Sequence, residues 1–302
     1  MKRVKGLSII EMMISISIGA LLVASFGAVY VSNKTTYNIQ QALSRLQENG
    51  RYAAYNLARE LRMAGYSGCA NLDRININNL TGNNTAFEFD RPIEGFEGSG
   101  RTFSPSLPST LSSLAVSNTD VLVIRSGSTE SVQVRQNMVQ PHNPLLVYDR
   151  LDINQNDTVL VTDCMVGDIF IAGANGNATA ITHTVANNIS NNLSMAYTTN
   201  AKVMRFNYYA FLIVDTGRVN NNNEPINALM RVDGNGNQVE IAEGVEQMEV
   251  IYGVDTTGDN AVDSFLSASQ VEASNNWTNV LSAEVRLLLV TPNNINDKPM
   301  NY

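Results

Sequence analysis

Histidine and cysteine are nearly missing from this chain, with two of each in 302 residues. Two cysteines are far too few for a disulfide scaffold. His142 and His183 sit in Pro- and Thr-rich surroundings that read as surface or loop, and no HExxH, GxSxG or phosphate-loop motif occurs. Nucleophilic catalysis therefore finds no support, and no carboxylate pair stands out for acid/base work, so the chain reads as a non-enzyme. Charge is scarce at 16% of residues, and a basic excess is lacking: the net charge is −8. Such a chain repels phosphate, so direct nucleic-acid binding is not expected. Its 44% hydrophobic content excludes a solvated disordered chain. Proline is absent between Leu7 and Gly65, so nothing there interrupts a helix.

What is present is unevenly spread. Residues 1–66 carry 8 Lys/Arg against 3 Asp/Glu, and residues 67–302 carry 12 against 25, so a basic start precedes an acidic body. Lys2, Arg3 and Lys5 lead to Gly6, and the 25 residues Leu7–Val31 then hold a single charge, Glu11. As a helix at about 1.5 Å per residue this run is roughly 37 Å long, enough to span a bilayer. The basic residues before it put the N-terminus in the cytoplasm and the body outside. A secretory signal peptide and a plain anchor both fit the hydropathy. Ser25-Phe26-Gly27 has small residues at a suitable spacing for cleavage, but no polar region precedes it. Neither reading accounts for Glu11, since a carboxylate inside a membrane helix costs about 2.5–3.5 kcal/mol on insertion scales.

Lys5-Gly6-Leu7-Ser8-Ile9-Ile10-Glu11 resembles the type IV pilin leader: a short basic stretch ending in Gly, an apolar first mature residue, and Glu at the fifth mature position. The resemblance implies that a membrane prepilin peptidase cuts between Gly6 and Leu7 and methylates the new amine. It also implies that Glu11 pairs with the N-terminal amine of a neighbouring subunit as helices bundle, which gives a buried carboxylate the partner it needs. Leu7 stands where the family most often has Phe, and the helix-breaking Pro of major pilins is missing. After cleavage, 17 Lys/Arg and 28 Asp/Glu remain, a charge of −11.

Beyond Val31 the pattern turns amphipathic. Ile39, Leu43, Leu46, Gly50, Ala53, Leu57, Leu61 and Ala64 keep a 3/4 spacing, while Arg45, Gln47, Glu48, Arg51, Arg59 and Arg62 fall off the stripe. One helix from Leu7 to Ala64 is expected, roughly 87 Å long. A coiled coil is the competing reading, but Gly50 and Ala53 suit close packing on a sheet better. The expected division is a cleavable leader at 1–6, a transmembrane and assembly helix at 7–31, its amphipathic continuation at 32–66, and a β-rich periplasmic head at 67–302.

The body reads as strands at Val121–Arg125, Ser131–Arg135, Asp168–Ala172, Lys202–Val214, Asn227–Val232, Val239–Ala242, Val245–Val254 and Val280–Thr291. Asp233-Gly234-Asn235-Gly236-Asn237 marks a hairpin. The 38 Asn cluster at turns, because Asn tolerates positive φ and caps its own backbone. Gly95–Ser113, rich in Gly, Ser and Pro, reads as a long surface loop.

Residues Arg59–Cys69, Ala242–Asp255 and Trp277 with the following apolar strand resemble the large minor pilins of the PilW type. The middle, about 71–201, carries little of this signal. The resemblance implies an α+β pilin-like fold, with one long N-terminal helix packed on a mainly antiparallel β-rich domain. It implies work in starting and assembling a type IV pilus, and a place at its tip. The implied partners are other minor pilins, the major pilin, the inner-membrane assembly machinery and a large tip adhesin. A single-pass inner-membrane location with a periplasmic body, then the cell-surface pilus, follows. Twitching motility, adhesion and DNA uptake stay open as outputs. A type II secretion pseudopilin shares the leader and anchor, but the largest of these usually lacks the fifth-position Glu. A membrane-anchored ligand-binding adhesin is the third reading.

Two constellations remain. A periplasmic body favours oxidation of Cys69 and Cys164 to a disulfide, against two unrelated thiols. Asp255, Thr257, Asp259, Ala261 and Asp263 fall at positions 1, 3, 5, 7 and 9 of a calcium-type loop. Position 12 is Leu266 rather than an acid, so an Asx-rich hairpin turn competes with calcium binding. Asp152–Asp157 is a shorter echo.

Overall fold

The structure is a computed structural model that describes residues 8–69, 75–82, 87–173 and 179–293. It is α+β: one long N-terminal helix followed by a β-rich, mostly antiparallel body. Helix α1 runs Ile9–Met63 over 55 residues and ends one residue earlier than expected. Ser8 takes extended backbone as its N-cap and Ala64 closes it; Leu7 lies outside the described residues.

A large sheet is built from β1 (Asn76–Asn79), β2 (Ile93–Ser99), β3 (Thr102–Ser104), β4 (Val121–Gln133), β6 (Thr158–Thr162), β7 (Val166–Ile171), β9 (Lys202–Val219), β10 (Pro225–Asp233) and β11 (Gln238–Glu243). β1 joins β7 in parallel, and the other pairs are antiparallel. A second sheet has the order β13-β12-β14, with β12 Val245–Val254, β13 Ser264–Leu266 and β14 Val280–Leu289. A two-stranded pair joins β5 (Leu145–Leu146) to β8 (Ala180–Ile181). Short helices α2 (Ser109–Ser112) and α3 (Ala268–Ala273) complete the elements used below.

β9 is the spine. β4 lies along one side of it, and on the other side β6 pairs with Lys202–Arg205 before β10 takes over from Tyr209 to Val219. Successive side chains of a strand point to opposite faces. Leu122, Ile124, Phe211 and Ile213 accordingly enter one core, with α1 and β12, while Val121, Val123, Ala210 and Leu212 enter another with Phe87, Phe89 and Leu111. Burial on both faces is why Val121–Ile124 and Ala210–Val214 are uninterruptedly apolar. A third core, around Phe170, Val159, Ile181 and Tyr197, fills the middle lobe.

Most expected strands are present, with two corrections. Val121–Arg125 and Ser131–Arg135 are parts of one strand, β4, whose register shifts between Gly127 and Ser131. Gly95–Ser113 is not a long loop: it contains most of β2, all of β3 and α2. Gly95 and Gly98 mark close approach, and Gly100, at φ 60°, makes the turn between β2 and β3. A Cβ on Gly95 would collide with the Tyr252 hydroxyl, and one on Gly98 with the Thr119 backbone. Asn does take the turn positions: Asn118, Asn156, Asn223, Asn260 and Asn275 all have φ between 51° and 71°. The Asp233–Asn237 hairpin forms, with the Asp233 carboxylate accepting from the Asn235 and Asn237 amides at 2.9 Å.

Candidate functional site

Glu11 is the only charge of the apolar stretch, and it has a partner within its own chain. Ser8 and Glu11 form a capping box: the Ser8 amide donates to Glu11 Oε2 at 3.0 Å, and Ser8 Oγ accepts from the Ile10 amide at 3.3 Å. A carboxylate in the first turn also faces the positive end of the helix dipole. The S-x-x-E signature that announces this box was present in the sequence beside the leader motif. Gly6 and Leu7, where the leader resemblance puts cleavage, lie outside the described residues.

From Ile9 to Val31 every large apolar side chain is more than half exposed. The mean hydropathy of the most apolar 18-residue window is 2.1, and none of that window is covered by the rest of the chain. By length and composition this part can cross a membrane. Its hydroxyls are compatible with that medium: Ser15, Ser17 and Ser25 each donate to the carbonyl four residues earlier at 2.8 Å.

The second half of α1 is fixed to the body. Ala53 and Leu57 are buried against Ile241, Ala242, Val245 and Met248. Asn49 Nδ2 donates to the Glu243 carbonyl at 3.2 Å. Glu60, on the same face, is buried and pairs with Arg59, with Arg231 4.0 Å away. The helix end is stitched to β4 by Gly65 N–H to the Arg125 carbonyl (2.8 Å) and Gly127 N–H to the Tyr66 carbonyl (2.5 Å). Ile39 and Leu43, counted in the expected stripe, lie above the body and stay exposed.

Cys69 and Cys164 form the expected disulfide. It ties the segment after α1 to the turn between β6 and β7 and closes a loop of 95 residues. Beyond it, the middle lobe is organised by buried polar groups. Asp168 accepts from Tyr197 Oη (2.7 Å), Ser194 Oγ (2.7 Å), the Ser194 amide (2.9 Å) and Asn78 Nδ2 (3.1 Å). Burial, then the Asp168 charge, pushes the Tyr197 hydroxyl pKa far up. His183 is buried rather than a surface residue: its ring packs edge-on to Phe170 at 5.4 Å, and Nε2 meets the Asn143 carbonyl at 2.9 Å. Burial pushes its pKa down. His142 is exposed.

The 255–263 loop joins β12 to β13 and brings Asp255, Asp259 and Asp263 within 4.8 Å of one another. The carboxylates are engaged by the loop itself. Asp255 accepts from the amides of Gly258 (2.6 Å), Asn260 (2.8 Å) and Thr257 (3.0 Å), and Asp263 from Thr256 N, Thr256 Oγ1 and Thr257 N at 2.8–3.0 Å. The Gly258 and Thr256 amides lead in holding Asp255 and Asp263 below the usual carboxylate pKa. Asn260 takes φ 62°, the role of the turn glycine. Thr257 and Ala261 are exposed. Leu266 is committed to β13 opposite Tyr252, so the twelfth position offers no ligand. The shorter echo at Asp152–Asp157 folds as a turn with Asn154 N–H donating to Asp157 at 2.9 Å.

Two clefts open on the body. One of about 630 Å³ lies between Leu111, Leu114, Val232 and the ion pair Arg125–Glu94 (2.6 Å). Another, of about 780 Å³, lies between α1 and the end of β14. Among the described residues neither is lined by His or Cys.

Two family models match the chain. The prokaryotic N-terminal methylation motif matches residues 1–26, and the type IV pilus-assembly protein W model matches residues 213–301. No curated protein and no solved structure matches. The two matched segments are far apart in sequence. From Ile9 onward the first lies in the apolar part of α1, and the second contains the strands β10–β14, among them β11 and β14, against which the other end of α1 packs.

Proposed function

We propose that the protein is a minor pilin of a type IV pilus, processed by prepilin peptidase at Gly6–Leu7 and acting with other minor pilins in pilus initiation and at the tip. The observation that carries this reading is the division of labour within α1. Its apolar half is left uncovered by its own chain, and its second half is locked into the body core. Such a helix is anchored in lipid before assembly and buried among neighbouring helices afterwards, while the head follows as a rigid attachment. The medium changes from lipid to protein, and the apolar surface is satisfied in both. Inner-membrane insertion with a periplasmic head agrees with the leader charges and the disulfide. The partners implied are the prepilin peptidase, the inner-membrane assembly machinery, other minor and major pilins, and a large tip adhesin.

Glu11 supplies register. In the single chain its carboxylate caps its own helix; in the bundle the methylated amine of a neighbour offers a full positive charge at the same carboxylate. Glu11→Gln keeps the acceptor oxygen of the capping box and removes the charge. The expected outcome is normal membrane insertion with loss of the protein from sheared pili. Wild-type fibre content in that variant would remove the charge from the mechanism.

Calcium in the 255–263 loop accompanies this reading as a separate proposal, supported by the convergence of Asp255, Asp259 and Asp263. The expected result is a rise in Tm on adding millimolar calcium that is lost in Asp259→Asn. An unchanged Tm across the titration removes calcium from the account.

A further inference from the structure

Helix α1 carries two seams with the same rhythm on opposite faces. Leu46, Gly50, Ala53, Leu57, Glu60 and Ala64, spaced by 3 and 4, meet the chain's own head. Positions 41, 45, 48, 52, 55, 59 and 62 follow the same alternation, and all are exposed. This outer seam is made of Arg45, Tyr52, Tyr55, Arg59 and Arg62, with Arg51 beside it and Glu48 as its single acid. Tyr52 is 54% exposed and Tyr55 63%. Among the described residues Arg45, Arg51 and Arg62 make no ion pair, and Arg59 leans inward to Glu60. Tyr and Arg are the side chains that dominate protein interfaces, because they combine area, a polar tip and little entropy loss.

We infer that this Tyr/Arg seam is a docking surface for the acidic head of a neighbouring pilin-type subunit. The inference rests on the pilus reading above and adds the chemistry of the contact. Charge complementarity selects the partner: three guanidinium groups without an ion pair, Arg45, Arg51 and Arg62, stand against the single carboxylate of Glu48 and favour an acidic surface. Geometry excludes the lipid headgroups as the occupant. At about 1.5 Å per residue, Arg45 lies roughly 21 Å and Arg62 roughly 46 Å along a continuous helix from the end of the apolar run at Val31. The acidic body of the same chain, 12 Lys/Arg against 25 Asp/Glu, disfavours nucleic acid on the same grounds. The apolar half of the helix brings subunits together, and the outer seam then chooses which head stands beside it.

The test uses the full-length chain in cells that make the pilus. A photo-crosslinking residue replaces Tyr55, and separately Arg45, Arg51 and Arg62 are all changed to Glu. The crosslinker is expected to capture another pilus subunit through a peptide rich in Asp or Glu. The triple variant is expected to insert in the membrane and form its Cys69–Cys164 bond, yet to reach sheared fibres about tenfold less, corresponding to about 1.4 kcal/mol. Charge reversal in the captured acidic patch should restore it. Capture of lipid, or of a protein through a segment without Asp or Glu, overturns the inference, as does wild-type fibre content of the triple variant. Absence of the unmodified chain from fibres would instead overturn the pilus reading itself.

Discussion

The helix-docked layer and the middle lobe of the head are held by different forces. Around α1, β11, β12 and β14 the core is apolar: Ala53, Leu57, Val245, Met248, Tyr252 and Trp277 are almost fully enclosed. Shape and area do most of the work there. The middle lobe has shorter strands, long turns and a core threaded by buried Asp168, His183, Asn188 and Arg150. Arg150 alone donates to the carbonyls of Ile153 and Ala180. The lobe is also covalently tied to the segment after α1 through the Cys69–Cys164 bond. The lesson is that a lobe poor in regular structure is specified by directional bonds, whereas the surface that receives a helix is specified by patterning.

The largest effect that separates the two is expected from the disulfide. Replacing Cys69 and Cys164 by Ser releases a 95-residue loop, worth roughly 4–5 kcal/mol in the chain-entropy model. Denaturant unfolding followed by proteolysis should show the middle lobe cleaved first. Leu57→Ala is next, at about 2–4 kcal/mol, because it opens a cavity under the helix. Protection of the α1 amides from hydrogen exchange should fall while the Phe170 core keeps its own. Tyr197→Phe takes a donor from buried Asp168 and should cost about 1–3 kcal/mol, confined to the middle lobe.

Acid should also divide them. Burial holds His183 neutral, with its pKa lowered from the usual value. The unfolded chain binds a proton below about pH 6.5 that the folded lobe refuses. Stability present above that pH is therefore lost as pH falls toward the folded pKa. Hydrogen exchange between pH 7 and 5 should loosen the middle lobe and leave the helix-docked layer unchanged, and His183→Gln should abolish the difference. The smallest effect is expected at Gly50. A Cβ there would lie 3.4 Å from Leu289 Cδ2, an ordinary contact. Gly50→Ala should raise stability by about 0.5–1 kcal/mol through helix propensity; a lower Tm would mean the helix sits closer to β14 than described.

The same contrast governs what could be read in advance. The helix, its docking stripe at Ala53 and Leu57 and the long strands β9, β12 and β14 follow periodicity directly, and the paired cysteines follow from an oxidising compartment. The capping box at Ser8 and Glu11 was legible too, but the leader motif on the same residues drew the reading away from it. Glu60 was not legible: a charge on the docking stripe is accommodated only because Arg59 and Arg231 approach it in space. β1, with the sequence Asn-Ile-Asn-Asn, has no alternation to betray it and exists as a parallel edge on β7. His183 looked exposed because its polar neighbours in sequence are not its neighbours in space. β2 was hidden by Gly95 and Gly98, whose missing side chains make room for Tyr252 and the Thr119 backbone.

The central claim is that this chain is a processed pilus subunit whose apolar helix is buried among others. Mass spectrometry of sheared, purified pili tests it most directly. The account expects a terminal peptide that begins at Leu7, carries one added methyl on its amine and is absent from the non-piliated control. Pili without this chain, or a chain that retains Lys2–Gly6 in the fibre, would contradict it.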